Sequence, residues 1–293
     1  MKDAKYIDVN GIRTRYFEAG RGEPIVLIHG GNYGTYYNAE DWEFNFDALA
    51  EHFRVIAYDR IGLGFSDNPP RDEDYRMSAS VQHALGVITA LGLGRSHIIG
   101  HSRGGYAAAR AVLEHPEIVD TLVIVDSSTL MTPANPLYEA WEREALQYDD
   151  VRERNRFFLR ENSFGDGRPT ERYLDVTVEI DGLAKTRFAR ERLRAEMGRF
   201  KADLVERQAE THAWIRAGRL TCPTLVVWAY NDPSATLMDN GIPCMNLILP
   251  NVPESEMVIL NRAGHMVFRE QAEAFNHAVI DFIGRHRAGR TRN

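Results

Sequence analysis

Cysteine is scarce in this chain: Cys222 and Cys244 are the only two in 293 residues, and neither sits in a CxxC pair. A disulfide framework is thereby excluded, and both are read as small core hydrophobes. Long apolar runs are lacking too. No stretch approaches the roughly 18 residues of a membrane span, and the polar start MKDAKYIDVNG has no apolar core of the kind a secretory signal carries. A cytoplasmic protein without a membrane partner is expected. Nor is there a basic excess. Against 42 Asp and Glu stand 35 Lys and Arg, a net charge of −7, so nothing supplies the phosphate contacts that nucleic-acid binding needs. His97 and His101 are the one histidine pair four residues apart. In a strand that spacing separates them by about 13 Å, too far to share an ion, and no metal is expected.

What is present is a regular alternation. Tyr6 to Val9 and Thr14 to Glu18, joined through Gly11, read as an antiparallel hairpin. Ile25–Ile28, Val55–Tyr58, His97–Gly100, Thr121–Val125, Thr224–Trp228 and Met257–Leu260 are short apolar runs that fit strands buried on both faces. Between them 41–52, 78–91, 105–115 and 270–285 carry apolar residues at helical spacing. The prediction is an α/β fold with a mainly parallel, eight-stranded sheet covered by helices.

From about Met131 to Arg216 the strand signal stops. A charged helical segment with interleaved aromatics (Trp141, Phe157, Phe158, Phe164, Tyr173, Phe188, Trp214) takes its place, its arginines and lysines matched in number by acids. Residues 1–131 and 217–293 are therefore read as one core, and 132–216 as a helical cap. The basic tail GRHRAGRTRN is expected to fray.

The strongest chemical signal is SHIIGHSRGGYAAAR, in which an apolar strand runs straight into Gly100-His101-Ser102-Arg103-Gly104 and a small-residue helix. Turning from strand to helix in so few residues strains the serine and crowds the backbones, which is why glycines flank it at two residues' distance. Ser102 then stands exposed above the sheet as a nucleophile. A serine needs a base to take its proton and an acid to hold that base. Asp232 follows the strand TLVVWA, and His265 lies in the loop after the next strand. Asp126, closing TLVIVD, is the rival acid. A tetrahedral intermediate needs two backbone N–H groups. Arg103, next to the nucleophile, is one candidate donor, and Gly31 in PIVLIHGGNYG is the other.

With HGG, DRIGLGFSD, GHSRGG, WAYND and AGHMVF in place, the chain resembles the α/β-hydrolase superfamily over nearly its full length. Its layout is most similar to the bacterial meta-cleavage-product hydrolases, which break a carbon–carbon bond in ring-opened aromatic catabolites. The resemblance implies a Ser102–His265–Asp232 triad, no cofactor, a small, largely hydrophobic carbonyl substrate and a homodimer. A carboxylesterase or lactonase, or a ligand receptor on the same fold, are the alternative readings. The chain departs from that subfamily at three places. HGGNYG stands where HGGGPG is usual, Met266 replaces a Trp after the histidine, and Thr177 falls where a cap arginine would meet the substrate carboxylate. Asn32, Met266, Arg172 and Arg187 are the candidate substrate contacts, with the side chain of Arg103 as a further replacement for the missing cation.

Overall fold

The computed structural model describes residues 1–131 and 136–288. Eight strands form one sheet: β1 (Lys5–Val9), β2 (Ile12–Ala19), β3 (Pro24–Ile28), β4 (Arg54–Tyr58), β5 (Ser96–His101), β6 (Val119–Val125), β7 (Thr224–Ala229) and β8 (Ser255–Leu260). Their spatial order is β1-β2-β4-β3-β5-β6-β7-β8. The β1–β2 hairpin joins antiparallel, and every pair from β4 onward is parallel. The helices are α1 (Glu43–Ala50), α2 (Met77–Ala90), α3 (Arg103–Glu114), α4 (Ser128–Met131), α5 (Pro136–Ala145), α6 (Val151–Glu161), α7 (Glu171–Gly182), α8 (Ala184–Arg216), α9 (Ile242–Ile248), α10 (Val267–Glu270) and α11 (Ala272–Ala288).

The period of two in the apolar strands divides the core into two layers. Val26, Ile28, Ile56 and Ile98 pack with residues of α2, α3, α8 and α9. Their neighbours Ile25, Leu27, Val55 and Ile99 face the other way, onto α1, α10 and α11. Because both faces are covered, both must be apolar, and the uninterrupted Val/Ile/Leu runs follow from that.

Three expectations are corrected. β8 is not buried on both faces: five of its residues are half-buried and one is exposed, because it is an edge strand paired only with β7. The helix read over 41–52 is a 3₁₀ turn, Ala39–Trp42, capped by Asn38, followed by α1. The basic tail does not fray at Gly284. Helix α11 continues to Ala288, with Arg285 bonded to Asp281 (2.9 Å) and Arg287 paired with Glu23; residues 289–293 lie outside the described ones. The segment read as a cap carries α5 to α8, with non-helical chain at 146–150 and 162–170 between them, while the boundary read at 131/132 adjoins residues outside the described ones. Among the described residues no helix is long and apolar enough to cross a membrane, and no group of His, Cys, Asp or Glu is arranged to hold a metal ion. Both cysteines are free and buried.

The strand order reverses between β3 and β5, and the carboxyl ends of the strands at such a reversal are where sheets of this kind place their ligands. Both HGG, after β3, and Ser102, after β5, lie there. The loop after β4 is fixed by a buried network: Arg15 on β2 donates to Asp59 (Nε, 2.7 Å) and to Glu40 (Nη1, 3.0 Å), and Asp59 also accepts the N–H groups of Ala39 (2.8 Å) and Phe65 (2.7 Å). Removing the arginine strands two carboxylates in a dry site. Arg15→Met should lower the unfolding free energy by about 3–5 kcal/mol, read by urea denaturation at pH 7, and a loss under about 1 kcal/mol would contradict this account of the loop.

Candidate active site

β5 ends at His101 and α3 begins at Arg103, which leaves Ser102 alone to make the turn. Its φ of 54° and ψ of −121° lie where L residues rarely go. The turn persists because its surroundings fix it. Ser102 N–H donates to Val125 (2.8 Å), and the Ser127 hydroxyl donates to the Ser102 carbonyl (2.6 Å). The flanking glycines are sterically required. A Cβ on Gly104 would collide with the carbonyls of Ile28 and His29, and one on Gly100 with the carbonyl of Gly104. In one respect the expectation fails: Ser102 does not stand open above the sheet but is only 9% exposed. The helical segment between β6 and β7 reaches this end of the sheet, where the Asn162 carbonyl accepts the His265 N–H (2.8 Å) and the Tyr138 hydroxyl donates to Ser234 (3.3 Å).

The structure brings Asp232 and His265 together. His265 Nδ1 donates to Asp232 Oδ2 at 2.7 Å, with both side chains buried. The other carboxylate oxygen, Oδ1, accepts the N–H groups of Ser234 (2.8 Å) and Ala235 (2.7 Å) and the Ser234 hydroxyl (3.1 Å). A turn-forming Asp before Pro233 and an imidazole-holding Asp are thus the same residue, one oxygen serving each purpose. Asp126 does not bond the histidine. Its Oδ1 accepts from Ala229 N–H (2.8 Å), and its Oδ2 is buried without a partner. Burial, and then the charge of Asp232, hold the Asp126 carboxyl well above the usual range.

The glycine loop is shaped by Arg60, buried at the end of β4, whose Nη1 donates to the carbonyls of Gly30 (3.0 Å) and Gly31 (3.1 Å). In a trans peptide the N–H points opposite to the carbonyl, so the Gly31 N–H is directed away from Arg60. Neither that N–H nor the Arg103 N–H, at the first position of α3, donates to a described residue. Gly31 has a φ of 84°, and a Cβ there would enter the Tyr37 ring. A Cβ on Gly30 would lie 3.0 Å from Ser102 Cβ, so this loop borders the serine.

The remaining predicted contacts fare differently. Asn32 is half-buried and caps its own loop, accepting from Tyr33 N–H at 3.2 Å. Met266 lies in the apolar layer with Val267 and Phe268. Arg172 and Arg187 do not approach the site. The inward face of α7 is Tyr173, Leu174, Thr177 and Ile180, which puts Arg172 on the exposed side, and Arg187 is exposed and donates to the Gly182 carbonyl (2.9 Å). Thr177 is fully buried and donates to the Leu174 carbonyl (2.8 Å). Sequence reasoning missed His101, Asn162, Tyr138 and Ser234. His101 Nε2 donates to the His265 carbonyl (2.8 Å), and its neutral form is enforced by burial, which carries its pKa well below the ordinary histidine value. Asn162 donates to the Tyr138 hydroxyl (3.0 Å), so a chain of hydrogen bonds runs from Asn162 through Tyr138 and Ser234 to Asp232.

Comparisons with known proteins bear on the fold and the family. A 2-hydroxy-6-oxo-6-(2′-aminophenyl)hexa-2,4-dienoic acid hydrolase of Metapseudomonas resinovorans is 28% identical over 96% of this chain and 91% of its own. A 2-hydroxy-6-oxononadienedioate/2-hydroxy-6-oxononatrienedioate hydrolase of Cupriavidus pinatubonensis is 30% identical over 91% of this chain and 89% of its own. Among solved structures, the 2-hydroxy-6-oxo-6-phenylhexa-2,4-dienoate hydrolase of a Rhodococcus superposes with a TM-score of 0.79 at 23% identity, covering 96% of this chain and 98% of its own. The family model for the alpha/beta hydrolase fold matches residues 23–272, and with the elbow, the Asp–His pair and strands β3 to β8 all within that span, the chain is a hydrolase of the α/β-hydrolase family.

Proposed function

We propose that the chain is a serine hydrolase that cleaves a carbon–carbon bond in a ring-opened 2-hydroxy-6-oxo-dienoate, using Ser102, His265 and Asp232 as its triad. The observation that carries the reading is the strained Ser102, whose neighbour His101 bonds the backbone of a histidine held through Nδ1 by Asp232, in a chain similar over more than nine-tenths of its length to dienoate hydrolases.

The chemistry divides into two steps. First the dienol is ketonised: the proton of the 2-hydroxyl is transferred to C5, leaving carbonyls at C2 and C6. His265, its Nδ1–H held by Asp232, leaves Nε2 free to accept that proton and pass it on. Then Ser102 Oγ, losing its proton to His265, attacks C6. The N–H groups of Gly31 and Arg103 hold the oxyanion. Collapse breaks C5–C6, the electron pair delocalises from C5 onto the C2 carbonyl oxygen, and the imidazolium returns a proton to give a 2-hydroxydienoate. Water, deprotonated by His265, releases the acyl group from Ser102 as a carboxylic acid. The second reading, hydrolysis of a simple ester or lactone, is favoured by one observation: Thr177 presents no cation where the resemblance places one.

The two readings part on substrate. Given a 2-hydroxy-6-oxo-dienoate and a short aryl ester, the enzyme should turn over both, with kcat/KM at least about tenfold higher for the dienoate, equal to about 1.4 kcal/mol in the transition state. An untouched dienoate with efficient ester cleavage would establish the ester reading. Ser102→Ala should remove several powers of ten of turnover on either substrate.

The two acids should respond in opposite ways. Asp232→Asn should cost about 10⁴ in kcat, because the imidazole loses its fixed tautomer. Asp126→Asn should leave kcat within a few-fold. Because burial raises the folded-state pKa of Asp126 above its unfolded value, it makes stability fall as pH rises above that unfolded value of about 4. Asp126→Asn should therefore be more stable than the parent at pH 8, with the difference shrinking toward pH 4 in denaturant titrations.

A further inference from the structure

Among the described residues the buried arginines all have polar partners. Arg15 has Asp59 and Glu40, Arg110 has Glu114 (2.7 Å) and Glu210 (2.6 Å), and Arg269 has Glu43 (2.6 Å). Arg60 has no carboxylate, but it donates to three loop carbonyls and to the Ser80 hydroxyl (2.9 Å). Arg103, half-buried, differs from these, and shares with the half-buried Arg76 a guanidinium nitrogen buried without a partner. Among the described residues its side chain makes no hydrogen bond and no ion pair, and Nη1 is buried without a partner. The guanidinium lies 4.9 Å from the Phe200 ring of α8, so it is turned toward the helical segment over the site. The ionisable groups that act on it are Arg60, a like charge, and the phenols of Tyr33 and Tyr138, which burial keeps protonated. Burial and the Arg60 charge push its pKa down to about 10. A charge partly withdrawn from water without a counter-ion is costly, and an incoming anion offsets the cost.

We propose that the Arg103 guanidinium is the carboxylate anchor of this enzyme, so that its substrates are small carbonyl compounds carrying a carboxylate within one arginine side chain of the scissile carbonyl. This rests on the preceding reading only in placing the reacting carbonyl at Ser102. The same residue then serves twice: its N–H faces the oxyanion and its side chain faces the carboxylate, which sets the distance between the two groups. In a 2-hydroxy-6-oxo-dienoate four carbons separate C1 from C6, a span of that order, and the cation missing at Thr177 is supplied from the elbow instead.

Mono-4-nitrophenyl adipate, whose carboxylate also lies four carbons beyond the scissile carbonyl, and its neutral methyl ester form the test pair. Wild type should prefer the acid by about 10–100-fold in kcat/KM, the range of a charge-assisted hydrogen bond. Arg103→Gln should bring that ratio to about one, mainly by raising KM for the acid, and Arg103→Lys should keep part of it as a point charge without the fork. No preference in wild type, or a preference that survives in Arg103→Gln, overturns the proposal, the latter by assigning the anion to another cation. Calorimetric binding of adipate to wild type and to both variants decides the matter without turnover. An enzyme inactive on the dienoate but selective for the anionic ester would sink the carbon–carbon reading and leave the Arg103 assignment standing.

Discussion

The turn at Ser102 constrains everything around it. A strand that ends at residue 101 and a helix that starts at residue 103 can be joined by one residue only if that residue takes a positive φ, and only if the chain on either side has no Cβ to place between β3, β5 and α3. Gly100 and Gly104 meet that demand, and the close approach they permit brings the β3 loop against the serine. The strain is of the kind that costs roughly 1–3 kcal/mol and survives only where neighbours over-determine it. Here the hydrogen bonds to Val125 and from Ser127, and a sheet buried on both faces, do so.

A second constraint is electrostatic. Two carboxyl groups, Asp126 and Asp232, lie at the ends of adjacent strands in a site closed to water. Both cannot be ionised without strong repulsion. Asp232 is given three donors on one oxygen and the histidine on the other, whereas Asp126 is given a single backbone N–H. The hydrogen-bond inventory thus separates the two acids: Asp232 holds the imidazole of His265, and Asp126 does not. Through Ser234, Tyr138 and Asn162 the overlying helices are tied to that same carboxylate, so their seating and the posture of the Asp232–His265 pair are coupled.

Reading the sequence located what local pattern determines. Glycine spacing around Ser102, the apolar strands and the chain order Ser, Asp, His are local or nearly so, and Asp232, His265 and the parallel sheet were legible for that reason. Other features depend on phase or on contacts across the chain. Arg172 is turned outward by the phase of α7, one residue from the buried Tyr173, a difference that charge counting does not register. Asn162 and Tyr138 have no motif, and they meet His265 and Ser234 only because the chain folds back about a hundred residues later. β8 is apolar enough to be taken for a central strand, and its edge position comes from sheet order, which composition does not encode. The unpaired state of Arg103 is likewise invisible in sequence, since it consists of partners that are not there.

The central claim is that one strained serine, activated by the Asp232–His265 pair, carries the chemistry. A fluorophosphonate reacts with such a serine and with few others, so stoichiometric labelling followed by peptide mass spectrometry addresses that claim without a choice of substrate. The account predicts complete inactivation with one adduct per chain, located on Ser102. Loss of activity with the adduct on any other residue, or full activity with Ser102 quantitatively labelled, would contradict it.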